Sequence, residues 1–242
     1  MERIMFVSHG DKGGCGKSYV STIVVEHLLN AGNQVALVEA DPTQPDVGKR
    51  YLDDADVEIG TLSLNRAGDA ENALSEFGAW LETADRDFVV VNLPAGAGET
   101  LDNQGDLMRD LADSLGYRMI VSYALEKNRI AAQAMLRSLK SGLLSHIEPE
   151  NRVVCIPEFK GEPYAFEWMD MPERKNADIR EVVIPALKNR QALQRLEASR
   201  GRIAALIDKD HRPDGWMILD QSSVWRWYQL AMTAAAKIIG EV

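Results

Sequence analysis

Short apolar runs alternate along the chain with longer stretches whose apolar positions recur every three or four residues. Residues 4–8 (Ile-Met-Phe-Val-Ser) form a run suited to a buried strand. Residues 17–31 carry Val20, Ile23, Val24, Leu28 and Leu29 at helical spacing, and Gly32 marks the stop. The alternation continues with strands at 34–39, 87–92, 117–123, 152–156 and 179–184. Helices fall at 69–84, 128–144 and 220–239, the last with Asp220 or Ser222 as its cap. Strand following helix in this way predicts an α/β chain with a mostly parallel sheet flanked by helices on both faces. No repeat, low-complexity tract or linker breaks the pattern, which predicts a single domain over residues 1–242. Residues 157–178, rich in Pro, Glu and aromatic side chains, read as a loop or insertion.

Composition narrows the class. The chain has 242 residues, 45% of them hydrophobic and 26% charged, which suits a globular protein and excludes a disordered or fibrous one. Cys15 and Cys155 are too few for a disulfide framework or a cysteine-built zinc site, and they favour a reducing compartment. The N-terminus enters a strand-like run directly, without the segments of a signal peptide, and no stretch approaches the roughly 18 apolar residues of a membrane span. The expected location is cytoplasmic. His9, His27, His146 and His211 show no metal-ligand spacing.

Charge adds a second feature. The net charge of −10 argues against a nucleic-acid coat, yet it is uneven. Residues 1–150 hold 13 basic and 24 acidic side chains, while residues 151–242 hold 14 and 13. Residues 188–212 gather Lys188, Arg190, Arg195, Arg200, Arg202, Lys209 and Arg212 against Glu197, Asp208 and Asp210. That stretch reads either as a solvated helix surface or as a local face for non-specific DNA.

The chemistry is concentrated in His9-Gly-Asp-Lys-Gly-Gly-Cys-Gly-Lys-Ser18, set between the first strand and the first helix. Phosphate needs several converging donors, and a helix N-terminus supplies free amides and a positive dipole end. Gly13, Gly14 and Gly16 let the backbone curl around a phosphate chain, with Cys15 as a small spacer. Lys17 can reach the outer phosphates and the Ser18 hydroxyl can ligate Mg²⁺; Tyr19 follows at the start of the helix. Asp11 stands where the general P-loop pattern has glycine. No Asn/Thr-Lys-x-Asp guanine signature is present, so ATP with Mg²⁺ is expected rather than GTP.

Lys12, a second lysine ahead of the glycines, makes this loop resemble the deviant P-loop of the ParA/MinD family of ATPases. The resemblance implies that Lys12 reaches across a homodimer interface to the partner's nucleotide, so that ATP binding drives dimerisation. Residues 35–44 (Val-Ala-Leu-Val-Glu-Ala-Asp-Pro-Thr-Gln) resemble the family's segment after the second strand. By that likeness Asp41 orients the attacking water and lies near the metal, and Glu39 takes the first acidic position. Residues 88–99 (Phe-Val-Val-Val-Asn-Leu-Pro-Ala-Gly-Ala-Gly-Glu) resemble the Walker B strand and the loop after it, but Asn92 replaces the family's aspartate. An amide at the metal position supplies no charge, which implies slow hydrolysis to ADP and phosphate. Gly96 and Gly98 allow that loop to move. Residues 184–189 (Ile-Pro-Ala-Leu-Lys-Asn) resemble the loop over the adenine in conjugative-plasmid members of the TraL type, which puts Pro185 and Ala186 at the base.

The resemblance covers residues 1–145 most closely. It implies a catalytic set of Lys12, Lys17 and Asp41 and a metal set of Ser18, Asp41 and Asn92. The implied role is a dimerising switch ATPase in plasmid partition or conjugative DNA transfer, acting through a partner protein. Two alternatives stand beside it: an ATP-dependent metabolic enzyme of the same superfamily, and a slow or non-hydrolysing nucleotide-binding adaptor. Relatives of the MinD type dock on membranes through a C-terminal amphipathic helix. The final helix here has only Arg226 and Lys237 as basic residues, so packing against the sheet is expected and a membrane contact is not.

Overall fold

The computed structural model describes residues 2–10, 13–40, 45–62, 70–94 and 96–240. Lys12 and Asp41 lie outside the described residues. Among the described residues seven strands form one sheet: β1 (Arg3–His9), β2 (Val35–Glu39), β3 (Val57–Thr61), β4 (Phe88–Asn92), β5 (Tyr117–Ala124), β6 (Arg152–Pro157) and β7 (Arg180–Ile184). Their order is β3-β2-β4-β1-β5-β6-β7, and every recorded pairing is parallel. β1 is therefore central, with β4 and β5 on its two sides.

A parallel sheet needs helices on both faces, because neither face can be left to water. Among the described residues eight α-helices meet that need: α1 (Lys17–Asn30), α2 (Ala70–Ala84), α3 (Ala97–Asn103), α4 (Gly105–Ser114), α5 (Arg129–Ser141), α6 (Arg190–Ala198), α7 (Ile203–Leu206) and α8 (Ile218–Ile239). Alternate side chains of β1 serve opposite layers. Ile4 and Phe6 join Val20, Ile23 and Val24 of α1 and Val224 and Trp227 of α8. Met5 and Val7 join Phe77 and Leu81 of α2, Leu101 of α3, Met108 of α4 and Met135 of α5. α8 lies against α1 and β7.

Several elements depart from the sequence expectation. β3 was not foreseen, because Val57 and Ile59 are the only large apolar residues in it and it occupies the sheet edge. Helices α3, α4, α6 and α7 were also unanticipated. α5 stops at Ser141 rather than 144, and Leu143–His146 form a 3-10 turn. α8 begins at Ile218, so Asp220 is not the cap; it lies in the first turn and accepts from the Met217 backbone N–H at 2.8 Å. Residues 157–178 contain four 3-10 turns, pinned to the core by fully buried Phe166 and Trp168. Among the described residues no helix is long and apolar enough to cross a membrane.

Candidate functional site

The C-terminal ends of β1, β2 and β4 carry the polar residues of the site, as expected for a parallel α/β sheet. β1 ends at His9 and α1 begins at Lys17, with the glycine-rich loop between them. Gly14 and Gly16 have φ of 73° and 111°, a left-handed backbone that other residues rarely adopt. Ser8 Oγ donates to the Lys17 carbonyl at 3.0 Å, fastening the start of α1 to the strand end. Lys17 is buried, and its Nζ donates to the Gly10 carbonyl at 3.3 Å and lies 3.6 Å from Cys15 Sγ. The ammonium is thus held within the loop's own curve, where a phosphate chain would enter.

Ser18, Asn92 and Glu39 form the polar corner beside the loop. Sheet register sets Asn92 opposite Ser8 on one side and Glu39 on the other. The Asn92 amide nitrogen donates to Glu39 Oε2 at 2.9 Å and to Ser18 Oγ at 3.4 Å, while its oxygen accepts from Ser21 Oγ at 3.2 Å. A carboxylate only accepts, so Glu39 fixes which end of the amide faces it. Asn92 consequently turns a donor toward Ser18, not the acceptor oxygen that a cation requires. The negative charge at this corner belongs to Glu39, whose Oε1 also accepts from the Gly48 amide at 2.5 Å. Burial raises the Glu39 pKa, and the bonds from Asn92 and the Val47–Gly48 backbone oppose that rise.

A cavity of about 470 Å³ opens over these groups. Gly13, Gly14, Gly16, Lys17, Ser18 and Asn92 line its polar side, and Leu93, Pro94, Phe159 and Leu187 its apolar side. Its volume is in the range of small-molecule sites. A left-handed glycine cradle with a buried lysine fits a phosphate chain. Among the described residues no group of three or more His, Cys, Asp or Glu is placed to hold a metal, and Asp46 is the carboxylate of this end of the sheet that lines the cavity beside Ser18. Mg²⁺ at nucleotide sites is usually held by one or two carboxylates together with the phosphates.

The expected base-binding residues are engaged with the protein. The Pro185 carbonyl accepts from Tyr19 Oη at 2.6 Å and from Trp227 Nε1 at 3.1 Å, and the Ala186 N–H donates to Glu158 Oε2 at 3.3 Å. Leu187, their neighbour, reaches the cavity instead. Phe159 is the residue that sequence reasoning missed: its ring packs on Tyr19 with centroids 5.2 Å apart and closes over Gly16. Its only signal was the aromatic content of the apparent insertion. In the basic stretch, Arg195 pairs with buried Asp220, and Arg202 pairs with Asp54 and Asp56 at 2.6 Å each. Those two guanidiniums hold the fold together, so the stretch is less free than its composition suggested.

No protein-family model matches the chain. Over 135 residues it is 24% identical to Protein MobD of Acidithiobacillus ferrooxidans, a match covering 53% of this chain and 54% of that protein. The chain thus matches about half the length of that relative. Among solved structures, the septum site-determining protein MinD of Pyrococcus horikoshii OT3, complexed with Mg-ADP, aligns over 99% of this chain and 97% of its own. Its TM-score is 0.57 at 13% identity. The chain has a MinD-like fold. The cell division protein FtsY of Thermotoga maritima aligns over 96% of this chain and 69% of its own, with 13% identity and a TM-score of 0.48.

Proposed function

We propose that this protein is a Mg·ATP-dependent switch ATPase that dimerises when ATP binds and acts in plasmid partition or conjugative DNA transfer. The glycine cradle with Lys17 buried at its mouth carries the reading. The MinD of like fold holds Mg-ADP, which supports the choice of ligand. In this reading the backbone amides of residues 13–18 bind the phosphates, and Lys17 stabilises charge on the outer ones. Mg²⁺ would be held through Ser18, with Asp41 near it and Asn92 reaching it through a bound water rather than directly, and would draw electron density from the phosphate oxygens. Asp41 orients the attacking water, and Lys12 neutralises triphosphate charge that would otherwise repel a second subunit. The partner protein, and DNA on residues 188–212, complete the role implied by the family resemblance.

A second reading, a slow or non-hydrolysing adaptor, is favoured by the donor that Asn92 turns toward Ser18. Sedimentation and phosphate release with Mg·ATP separate the two. A switch ATPase dimerises and turns over; an adaptor dimerises without release. Lys12→Ala is expected to bind ATP yet remain monomeric, and normal ATP-dependent dimerisation of that variant would remove the cross-subunit role.

A further inference from the structure

The last two side chains of β1 point to opposite faces of the sheet. Ser8 bonds to the start of α1, while His9 reaches α3, where its Nε2 lies 3.2 Å from Asp102 Oδ1. Residues 92–94, at the end of the strand that pairs with β1 and ahead of α3 in the chain, line the phosphate cavity together with the glycine loop. The pair therefore joins the root of the phosphate loop to the helix that follows the 92–94 wall.

Asp102 is held from further sides. Its Oδ1 also accepts from Ser138 Oγ of α5 at 2.6 Å and from the Leu143 N–H at 2.8 Å. A Cβ on Gly142 would collide with the carboxylate, so only glycine permits this approach. Burial works to raise the Asp102 pKa, but the His9 bond and charge, Ser138 and Leu143 outweigh it and hold the carboxyl below its ordinary value. His9 is 1% exposed, the edge contact with the Tyr123 ring (centroids 5.0 Å apart) fixes its plane, and its Nδ1 has no hydrogen-bond partner. A buried imidazole with one unmatched nitrogen is costlier than a phenyl ring of similar size, which singles out the Asp102 contact as its purpose. The trio is no hydrolytic triad, because Ser138 donates to the aspartate itself and is 1% exposed.

We propose that His9 and Asp102 are positioning residues that keep the β4–α3 wall of the cavity in register with the phosphate loop, so that the far end of a bound triphosphate is gripped. This rests on the reading of the cavity as a nucleotide site. With the inner phosphates on the loop amides, a longer phosphate chain would have residues 92–94 as the further lining of the cavity to meet. Breaking the link should weaken triphosphate more than diphosphate.

The test is fluorescence titration of His9→Ala, His9→Gln and wild-type protein with Mg²⁺ and either ADP or a non-hydrolysable ATP analogue. Amide hydrogen exchange across residues 93–103 is measured alongside. His9→Ala should bind the ATP analogue about 10-fold more weakly, the scale of one charge-assisted hydrogen bond, with ADP affinity changed less than about twofold. His9→Gln, whose amide nitrogen can occupy the Nε2 position, should recover most of the loss. Equal losses for both nucleotides, failure of Gln to recover, or no change in His9→Ala would overturn the proposal. If wild-type protein binds neither nucleotide, the proposed function fails; exchange at 93–103 in nucleotide-free His9→Ala then tests the link alone, with faster exchange supporting it and unchanged exchange refuting it. Ser138→Ala, which removes one Asp102 donor (and a 3.5 Å contact with His9 Nε2) while keeping both His9 and Asp102, gives the same readout with a smaller shift should His9→Ala not fold.

Discussion

Glu26 and Glu39 are equally buried, each 1% exposed, and the protein surrounds them differently. Glu26 accepts from Tyr51 Oη and Tyr228 Oη, both at 2.9 Å, and from the backbone N–H groups of Ile203 and Ala204 at 2.8 and 3.4 Å. Those donors come from the turn after β2, from α7 and from α8, so one carboxylate of α1 ties that whole layer together. Every lone pair of consequence is matched by a fixed protein donor. Glu39 instead bonds the Asn92 amide, and the same amide nitrogen reaches Ser18 in the phosphate loop. Its charge is felt at the cavity. The difference teaches that burial does not mark a functional carboxylate; what its donors face does.

The most severe way to probe the contrast leaves both carboxylates in place. Lys17→Ala should lower ATP affinity at least 1,000-fold, about 4 kcal/mol, by removing a buried cation from the phosphate chain. Calorimetric titration reads the loss, and near-normal binding would mean the cavity is not a phosphate site. Glu26→Gln should destabilise the fold by about 3 kcal/mol in urea unfolding, since its new NH₂ faces donors, while nucleotide affinity stays unchanged.

The same variant has a pH signature. Burial raises the Glu26 pKa above its ordinary value, against the tyrosine and backbone bonds. A raised folded-state pKa means the native protein binds the proton more tightly, so the contribution is fully present below the unfolded value and is lost as pH rises through the folded one. Wild-type stability should therefore fall over the range just above the ordinary carboxylate pKa, and Glu26→Gln should flatten that slope. Denaturation midpoints across pH 4 to 8 measure it, on the scale of ordinary and perturbed carboxylates at about 4 and above.

The smallest effect sharpens the comparison most. Glu39→Gln should weaken Mg·ATP binding about 10-fold, the loss of one nearby charge on the cation, and leave metal-free ATP binding almost unchanged. Equal losses with and without Mg²⁺ would place Glu39 in the same structural role as Glu26.

Much of this was legible in the chain. The apolar runs that became β1, β2 and β4–β7 are long enough to read because a parallel sheet buries both sides of each strand. The glycine loop was legible because its geometry demands residues without a Cβ. β3 was not, since its acidic Glu58 and its edge position blur the run. α3 offers too few apolar positions to read, with Leu101 alone among polar residues, whereas α4 carried a signal that sequence reasoning missed, Leu107, Met108, Leu111 and Ala112 at helical spacing. Asn92 was visible as a departure, but the direction of its amide was not, because Glu39 on the neighbouring strand sets it. Phe159 was hidden for a related reason: only the folded path of residues 157–178 brings it over Gly16.

The rung that aligns Ser8, Asn92 and Glu39 across three strands has an evolutionary consequence. Side chains alternate faces along a strand, so a one-residue slip of β4 would send Asn92 to the opposite layer and bring Val91 or Leu93 to the corner. The corner is thus inherited from strand alignment, and no loop adjustment can restore it once lost. Exchange of residues there should occur in concert along the rung, with a carboxylate free to migrate from one strand end to the next while the total charge beside Ser18 is kept.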